Sequence, residues 1–221
     1  MNNKIAFIFD LDGVIVDTAK YHFLAWKNLA NSLGFDFTKE QNEQLKGVSR
    51  VKSLEILLKI GNIKLSDEKK QELLIKKNEE YLSYVNKMTS DEILPGVTNM
   101  LNFLIKNDVK FALGSASKNA PLILDKVGLL NKFTAIVDGN HVSKAKPDPE
   151  VFLLGAEKLK MDPIKCVVVE DAIAGVAAAN AANMISIGIG DSDVLKDANY
   201  VFEDTSKITT AFLKSLIKRN E

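Results

Sequence analysis

The chain has 221 residues, of which 46% are hydrophobic and 26% charged, a balance that fits a globular protein and excludes a disordered or collagen-like one. Twenty-nine basic side chains match 29 acidic ones, so no overall field draws the molecule to nucleic acid or an anionic membrane, and any recognition of phosphate has to be local. At roughly 100 to 200 residues per domain, the length allows one or two domains.

In chain order, residues 5–9 form an apolar, partly β-branched run that reads as a strand buried on both faces. The run ends at Asp10 and Asp12, too short and too soon acidic for a secretory signal. Over 17–86 the pattern changes to apolar residues three and four apart among many Lys and Glu, with no strand. Helices are expected over 17–33, 39–45, 50–60 and 66–86, the first three closed by Gly34, Gly47 and Gly61 and the last opened by Ser66 as N-cap. After Pro95-Gly96 the two kinds of element alternate: helix 97–107, strand 109–115, helix 119–127, strand 134–137, helix 149–159, strand 166–170, helix 172–182, strand 184–189, helix 206–218. Such alternation implies right-handed crossovers and a parallel sheet covered on both faces. The expected architecture is a doubly wound α/β core, residues 1–16 and 87–221, interrupted after its first strand by an all-α cap, residues 17–86, seated over the strand ends. Cys166, the lone cysteine, lies in a Cys-Val-Val-Val run and reads as core. The most membrane-like window, 172–190, is broken by Asn180, Asn183 and Ser186, so no membrane association and a cytoplasmic location are expected.

In an open parallel sheet, ligands bind outside the carboxyl ends of the strands, and four polar clusters fall there. Asp10-Leu11-Asp12-Gly13 places two carboxylates two residues apart; alone, it also describes an ordinary turn. Ser115-Ala116-Ser117-Lys118-Asn119 offers hydroxyls and amides at a helix start, suited to an anion or simply to an N-cap. Lys146-Pro147-Asp148-Pro149 holds a lysine in a stiffened loop, and Glu170-Asp171 puts two acids where a hard cation would sit. Together the four supply a nucleophile, anion donors, a cation and metal ligands, in order, at successive strand ends.

This ordered set resembles the haloacid dehalogenase superfamily of phosphotransferases, over the whole chain. The resemblance implies that Asp10 attacks phosphorus to form an aspartyl-phosphate and that Asp12 is the general acid/base. It further implies that Ser115 and Lys146 bind phosphate, and that Asp10, Asp12 through its backbone carbonyl, Glu170 and Asp171 hold Mg²⁺. The residue types suit the chemistry, because a phosphoryl transition state asks mainly for positioning and neutralisation of charge. A carboxylate nucleophile is otherwise repelled by its substrate.

Within the insert, His22, Trp26 and Lys27 on the first helix, the connection Gly47-Val48-Ser49-Arg50, and Lys77-Asn78 on the last helix resemble the insert of the β-phosphoglucomutase family. Asp17-Thr18 and the stretch 115–119 agree with it. That likeness implies β-glucose 1-phosphate, glucose 6-phosphate and glucose 1,6-bisphosphate as ligands, with Arg50, Ser117 and Asn119 holding the phosphate that is not reacting, and His22 and Lys77 near the sugar and Asp12. A sugar-phosphate phosphatase of the same superfamily shares every core residue and is the alternative. A non-enzymatic module storing phosphate on Asp10 fits neither the insert nor Asp12. A monomer is expected. Residues 138–145 receive no role.

Overall fold

A computed structural model describes residues 5–46 and 48–218. Six strands form one parallel sheet in the order β3-β2-β1-β4-β5-β6: β1 (Ala6–Phe9), β2 (Phe111–Gly114), β3 (Ala135–Val137), β4 (Cys166–Glu170), β5 (Ile185–Ile189) and β6 (Tyr200–Phe202). The most hydrophobic runs take the middle, with Phe7 opposite both Phe111 and Val167. A strand buried on both faces has to satisfy two layers at once, and the side chains divide by parity. Phe7, Phe9, Val167 and Val169 pack with helices α5 (Val97–Lys106), α6 (Ala120–Lys126) and α9 (Thr210–Lys218). Ala6, Ile8 and Val168 pack with α7 (Glu150–Leu159) and α8 (Ile173–Ala181) on the other side. Cys166 belongs to this second layer, and burial pushes its thiol up to about 12, as expected of an inert core cysteine.

Between β1 and α5 lies the all-helical insert, made of α1 (Ala19–Ser32), α2 (Lys39–Asn42), α3 (Arg50–Ile60) and α4 (Asp67–Val85). It has a hydrophobic cluster of its own, including Trp26, Leu29, Phe37, Leu54, Leu57 and Leu74. The chain leaves and re-enters the core side by side: Val16 bridges Ile93, Asp17 N–H donates to the Glu92 carbonyl, and Leu94 N–H to that of Ile15.

Departures from the sequence reading are local. Strand β6, absent from that reading, has only three half-buried residues and so carries no readable run. The last helix starts at Thr210, because Asp204 accepts from Ser206 N–H and sets up a separate 3₁₀ turn at Thr205–Lys207. The expected helix 39–45 is α2 followed by a 3₁₀ turn, Glu43–Leu45, begun by a reciprocal Thr38–Gln41 capping box. Ser66 does cap α4, accepting from Lys69 N–H. Gly61 ends α3 but has ordinary helical φ; Asn62 takes the left-handed conformation, and Gly61 is required because a Cβ there would lie 2.5 Å from the Phe35 ring. Gly47 lies outside the described residues.

Candidate active site

The strand order puts the carboxyl end of β1 beside those of β2 and β4, and the polar clusters meet there. Lys146 Nζ donates to Asp10 Oδ1 at 2.6 Å and to Glu170 Oε2 at 3.0 Å. All three residues are at most 4% exposed. Burial opposes charge on the lysine, but the Asp10 and Glu170 carboxylates prevail and raise its pKa. Carboxylate oxygens of Asp10, Glu170 and Asp171 lie within 4.8 Å of one another. Burial, then the charge of Asp10, pushes Glu170 well above the usual carboxylate range and Asp171 up to about 7, while Lys46 from the insert partly offsets the latter. Glu170 Oε1 is buried with no hydrogen-bond partner among the described residues. A cluster of three acids around one lysine, with an orphaned oxygen, is short of positive charge, and hard oxygen donors in this number suit Mg²⁺.

Two glycines make the cluster possible. At Gly13, with φ of +79°, a Cβ would stand 2.2 Å from Asp171 Oδ2; at Gly175 it would stand 2.0 Å from Glu170 Cδ. The turn through Gly13 is tied by Ile15 and Val16 N–H groups, both donating to the Leu11 carbonyl. It delivers Asp12 to the cavity. Thr18, at the N-terminus of α1, makes no side-chain cap; its hydroxyl donates to Asp12 Oδ1 instead. His22 Nε2 is 3.9 Å from the same oxygen. Burial and the nearby Asp10 push Asp12 up to about 6, close to the value at which a carboxyl exchanges protons readily near neutral pH.

Helix α4 forms the facing wall. Lys77 Nζ contacts His22 Nδ1 at 2.8 Å and lies over the rings of Trp26 and Tyr81 at 4.8 and 4.6 Å. Burial, then the charge of Arg50, draws Lys77 down to about 7. Burial and the same cations hold His22 well below the usual imidazole range. With Lys77 donating to Nδ1, the neutral ring carries its proton on Nε2, facing Asp12. Arg50 begins α3, whose N-cap is Ser49. Burial lowers its pKa, and no described carboxylate is paired with it.

These walls enclose a cavity of about 470 Å³. It is lined by Asp10, Asp12, Asp171 and Lys146, by Ser115, Ala116, Ser117, Lys118 and Asn119, and by His22, Trp26, Val48, Ser49, Arg50 and Lys77. In the 115–119 loop, Ser115 Oγ accepts from Ser117 N–H and Ser117 Oγ from Asn119 N–H, so both hydroxyls shape the loop. Glu170 sits behind the cavity wall, reached through Lys146 and Asp10. Lys27 is not brought to the cavity: its Nζ lies 3.5 Å from Asp36 and over the Phe23 ring. The stretch 138–145 also has a place. Asp138 accepts from Asn140 N–H, Glu150 accepts from Ser143 and Lys144 N–H, and Val142 to Ala145 line the cavity. Thr18, Lys46 and Asn78 stand in or beside the stretches that carry the resemblance without a role of their own, and Tyr81 is not among them. For Asn78 and Tyr81 there was a signal, since Leu74, Lys77, Asn78 and Tyr81 share one helical face and a polar pair interrupts its apolar stripe.

A doubly wound sheet with an acidic cluster at its strand ends and an inserted helical cap defines a class, and the family model that matches residues 6–183 is the haloacid dehalogenase-like hydrolase. The chain belongs to this family. It is 42% identical over 210 residues to the β-phosphoglucomutase of Bacillus subtilis, covering 94% of this chain and 93% of that one. The crystal structure of β-phosphoglucomutase from Clostridium difficile matches with a TM-score of 0.93 and 42% identity, covering 98% of both chains. A phosphorylated carbohydrates phosphatase of Thermotoga maritima is 32% identical over 203 residues, covering 89% of this chain and 92% of that one.

Proposed function

We propose that the chain is a β-phosphoglucomutase, interconverting β-D-glucose 1-phosphate and β-D-glucose 6-phosphate through β-glucose 1,6-bisphosphate. The observation that carries this reading is a 42% likeness to such enzymes that runs through core and insert alike. The insert is where substrate choice belongs, because α1, α3 and α4 supply His22, Arg50 and Lys77 opposite Asp10. In this reading the core is 1–16 and 87–221 and the cap 17–86, and the paired crossings near 15–17 and 92–94 support that division. The molecule is taken to act in the cytoplasm as a monomer. No described helix is long and apolar enough to cross a membrane.

Asp10 attacks phosphorus as the bond to the sugar oxygen breaks, and Asp12 gives its proton to that departing oxygen. In the second half-reaction Asp12 takes the proton of the attacking sugar hydroxyl, and the bond from Asp10 to phosphorus breaks. Thr18 and His22 hold Asp12 for this exchange. Lys146 neutralises the nucleophile. Asp10, the Asp12 carbonyl, Glu170 and Asp171 would hold Mg²⁺, which supplies charge neutralisation at the transferring phosphoryl group. Arg50, with Ser117, Lys118 and Asn119, grips the other phosphate, so that either end of the bisphosphate can face Asp10.

The test is incubation with Mg²⁺, β-glucose 1-phosphate and a trace of glucose 1,6-bisphosphate while glucose 6-phosphate and free phosphate are followed together. Glucose 6-phosphate without matching phosphate, and little turnover of the α anomer, is the expected result. Phosphate as the main product would favour a sugar-phosphate phosphatase.

A further inference from the structure

One side-chain contact joins the insert to the loop after β2 across the cavity. Asn119 Nδ2, in the loop after β2, donates to Asn78 Oδ1 on α4 at 3.0 Å. Both side chains are half-buried and line the cavity. Among the described residues this is the one side-chain hydrogen bond joining α4 to the 115–119 loop. The insert is otherwise tied to the core near its two crossings, where Lys20 and Tyr21 bond Glu92, Thr18 bonds Asp12, and Tyr81 and Val85 of α4 are buried in the core's own cluster. A wall anchored near its crossings swings about them, so a bond beyond them, between α4 and the 115–119 loop, bears on whether water reaches Asp10.

We propose that Asn78 is a positioning residue, acting through Asn119 as a clasp that holds the insert against the core and so favours transfer of the phosphoryl group to a sugar hydroxyl over transfer to water. This rests on the mutase reading above. In the leak that the clasp suppresses, a water oxygen bonds to phosphorus, the bond from Asp10 to phosphorus breaks, inorganic phosphate leaves, and the water proton passes to Asp12. The clasp is one neutral hydrogen bond, so its loss shifts the balance between closed and open walls by about two- to tenfold.

Asn78→Ala is the perturbation. Alanine favours helix more than asparagine does, so α4 keeps its fold, and a thermal melt verifies this. The readout is free phosphate released per glucose 6-phosphate formed from β-glucose 1-phosphate, which a merely structural defect would leave unchanged while slowing both products. Asn78→Ala should raise that ratio about two- to tenfold. Asn119→Ala should raise it as much and also weaken binding of the bisphosphate. Because Asn78 acts only through Asn119, the double variant should partition no worse than Asn119→Ala alone. An unchanged ratio in Asn78→Ala, or effects of the two substitutions that multiply, overturns the clasp. The unsubstituted enzyme in the same assay tests the mutase reading separately: stoichiometric phosphate from it would overturn that reading whatever Asn78 does.

Discussion

Replacing Lys146 by Met keeps an unbranched chain of similar length and deletes the charge, together with the ammonium's contact over the Phe152 ring at 4.7 Å. At an effective dielectric near 20, contacts of 2.6 and 3.0 Å are each worth about 6 kcal/mol of attraction. Desolvation of three buried ions, at several kcal/mol each, consumes most of it. What remains after removing one partner is the cost of stranded carboxylates, about 3–5 kcal/mol. For a protein of this size that corresponds to a fall in Tm of about 6–20 °C, measured in EDTA at pH 7.5. Two conditions should shrink the deficit. Mg²⁺ restores positive charge among Asp10, Glu170 and Asp171, so the variant should regain more stability from the metal than the unsubstituted protein does. Acid should also help: burial and the Asp10 charge already hold Glu170 well above the usual carboxylate range, and loss of the lysine raises it further. The deficit relative to the unsubstituted protein therefore grows as pH climbs past the raised Glu170 value of that protein and is complete only above the still higher value in the variant. A deficit under about 1 kcal/mol in EDTA, or one indifferent to both Mg²⁺ and pH, would refute the account of Lys146 as the cation of a buried acidic cluster.

The two acids of the first loop should fail differently: Asp10→Asn should form no phosphoenzyme at any time, whereas Asp12→Asn should form it about 100- to 10,000-fold more slowly, as followed by intact-protein mass spectrometry. Label appearing on the same peptide of Asp10→Asn would remove Asp10 as nucleophile. Arg50→Ala should raise KM and lower kcat/KM for the bisphosphate by the equivalent of about 2–4 kcal/mol, with Arg50→Lys recovering part because it keeps charge without the bidentate fork; phosphorylation from acetyl phosphate, which has no second phosphate, should change far less. Lys77, drawn down to about 7 by burial and Arg50, binds its proton less tightly folded than unfolded, so stability should rise with pH from about 7 to about 10. Lys77→Met should remove that slope and, after loss of the two cation–π contacts, still stabilise the protein near pH 6 by about 1–3 kcal/mol while impairing turnover; denaturant titrations at pH 6, 8 and 10 that show the same slope in both proteins would count against a strained buried ammonium.

Much of this molecule is legible in the linear order of its residues because the signals are short-ranged. The β-branched and aromatic runs of β1 and β4 have one stable use, as strands covered on both faces. Ser66 caps the helix that follows it. Each polar cluster stands where a hydrophobic run stops, which in a parallel sheet is the ligand-binding edge. What the residues next to them do not determine is which distant partners they meet. Pairing of β1 with β4 brings Glu170 to Asp10 and sets Asp171 against Gly13; packing of α4 across the opening brings Lys77 to His22 and Asn78 to Asn119. Strand β6 has too few and too exposed residues to form by local preference and exists because β5 offers it an edge. Lys27, equal to its neighbours as a string of letters, is turned aside by the rotation of α1 that buries Trp26. Local backbone preference thus decides the elements, while long-range pairing and helix rotation, which depend on the burial of whole faces at once, decide which side chains share the site.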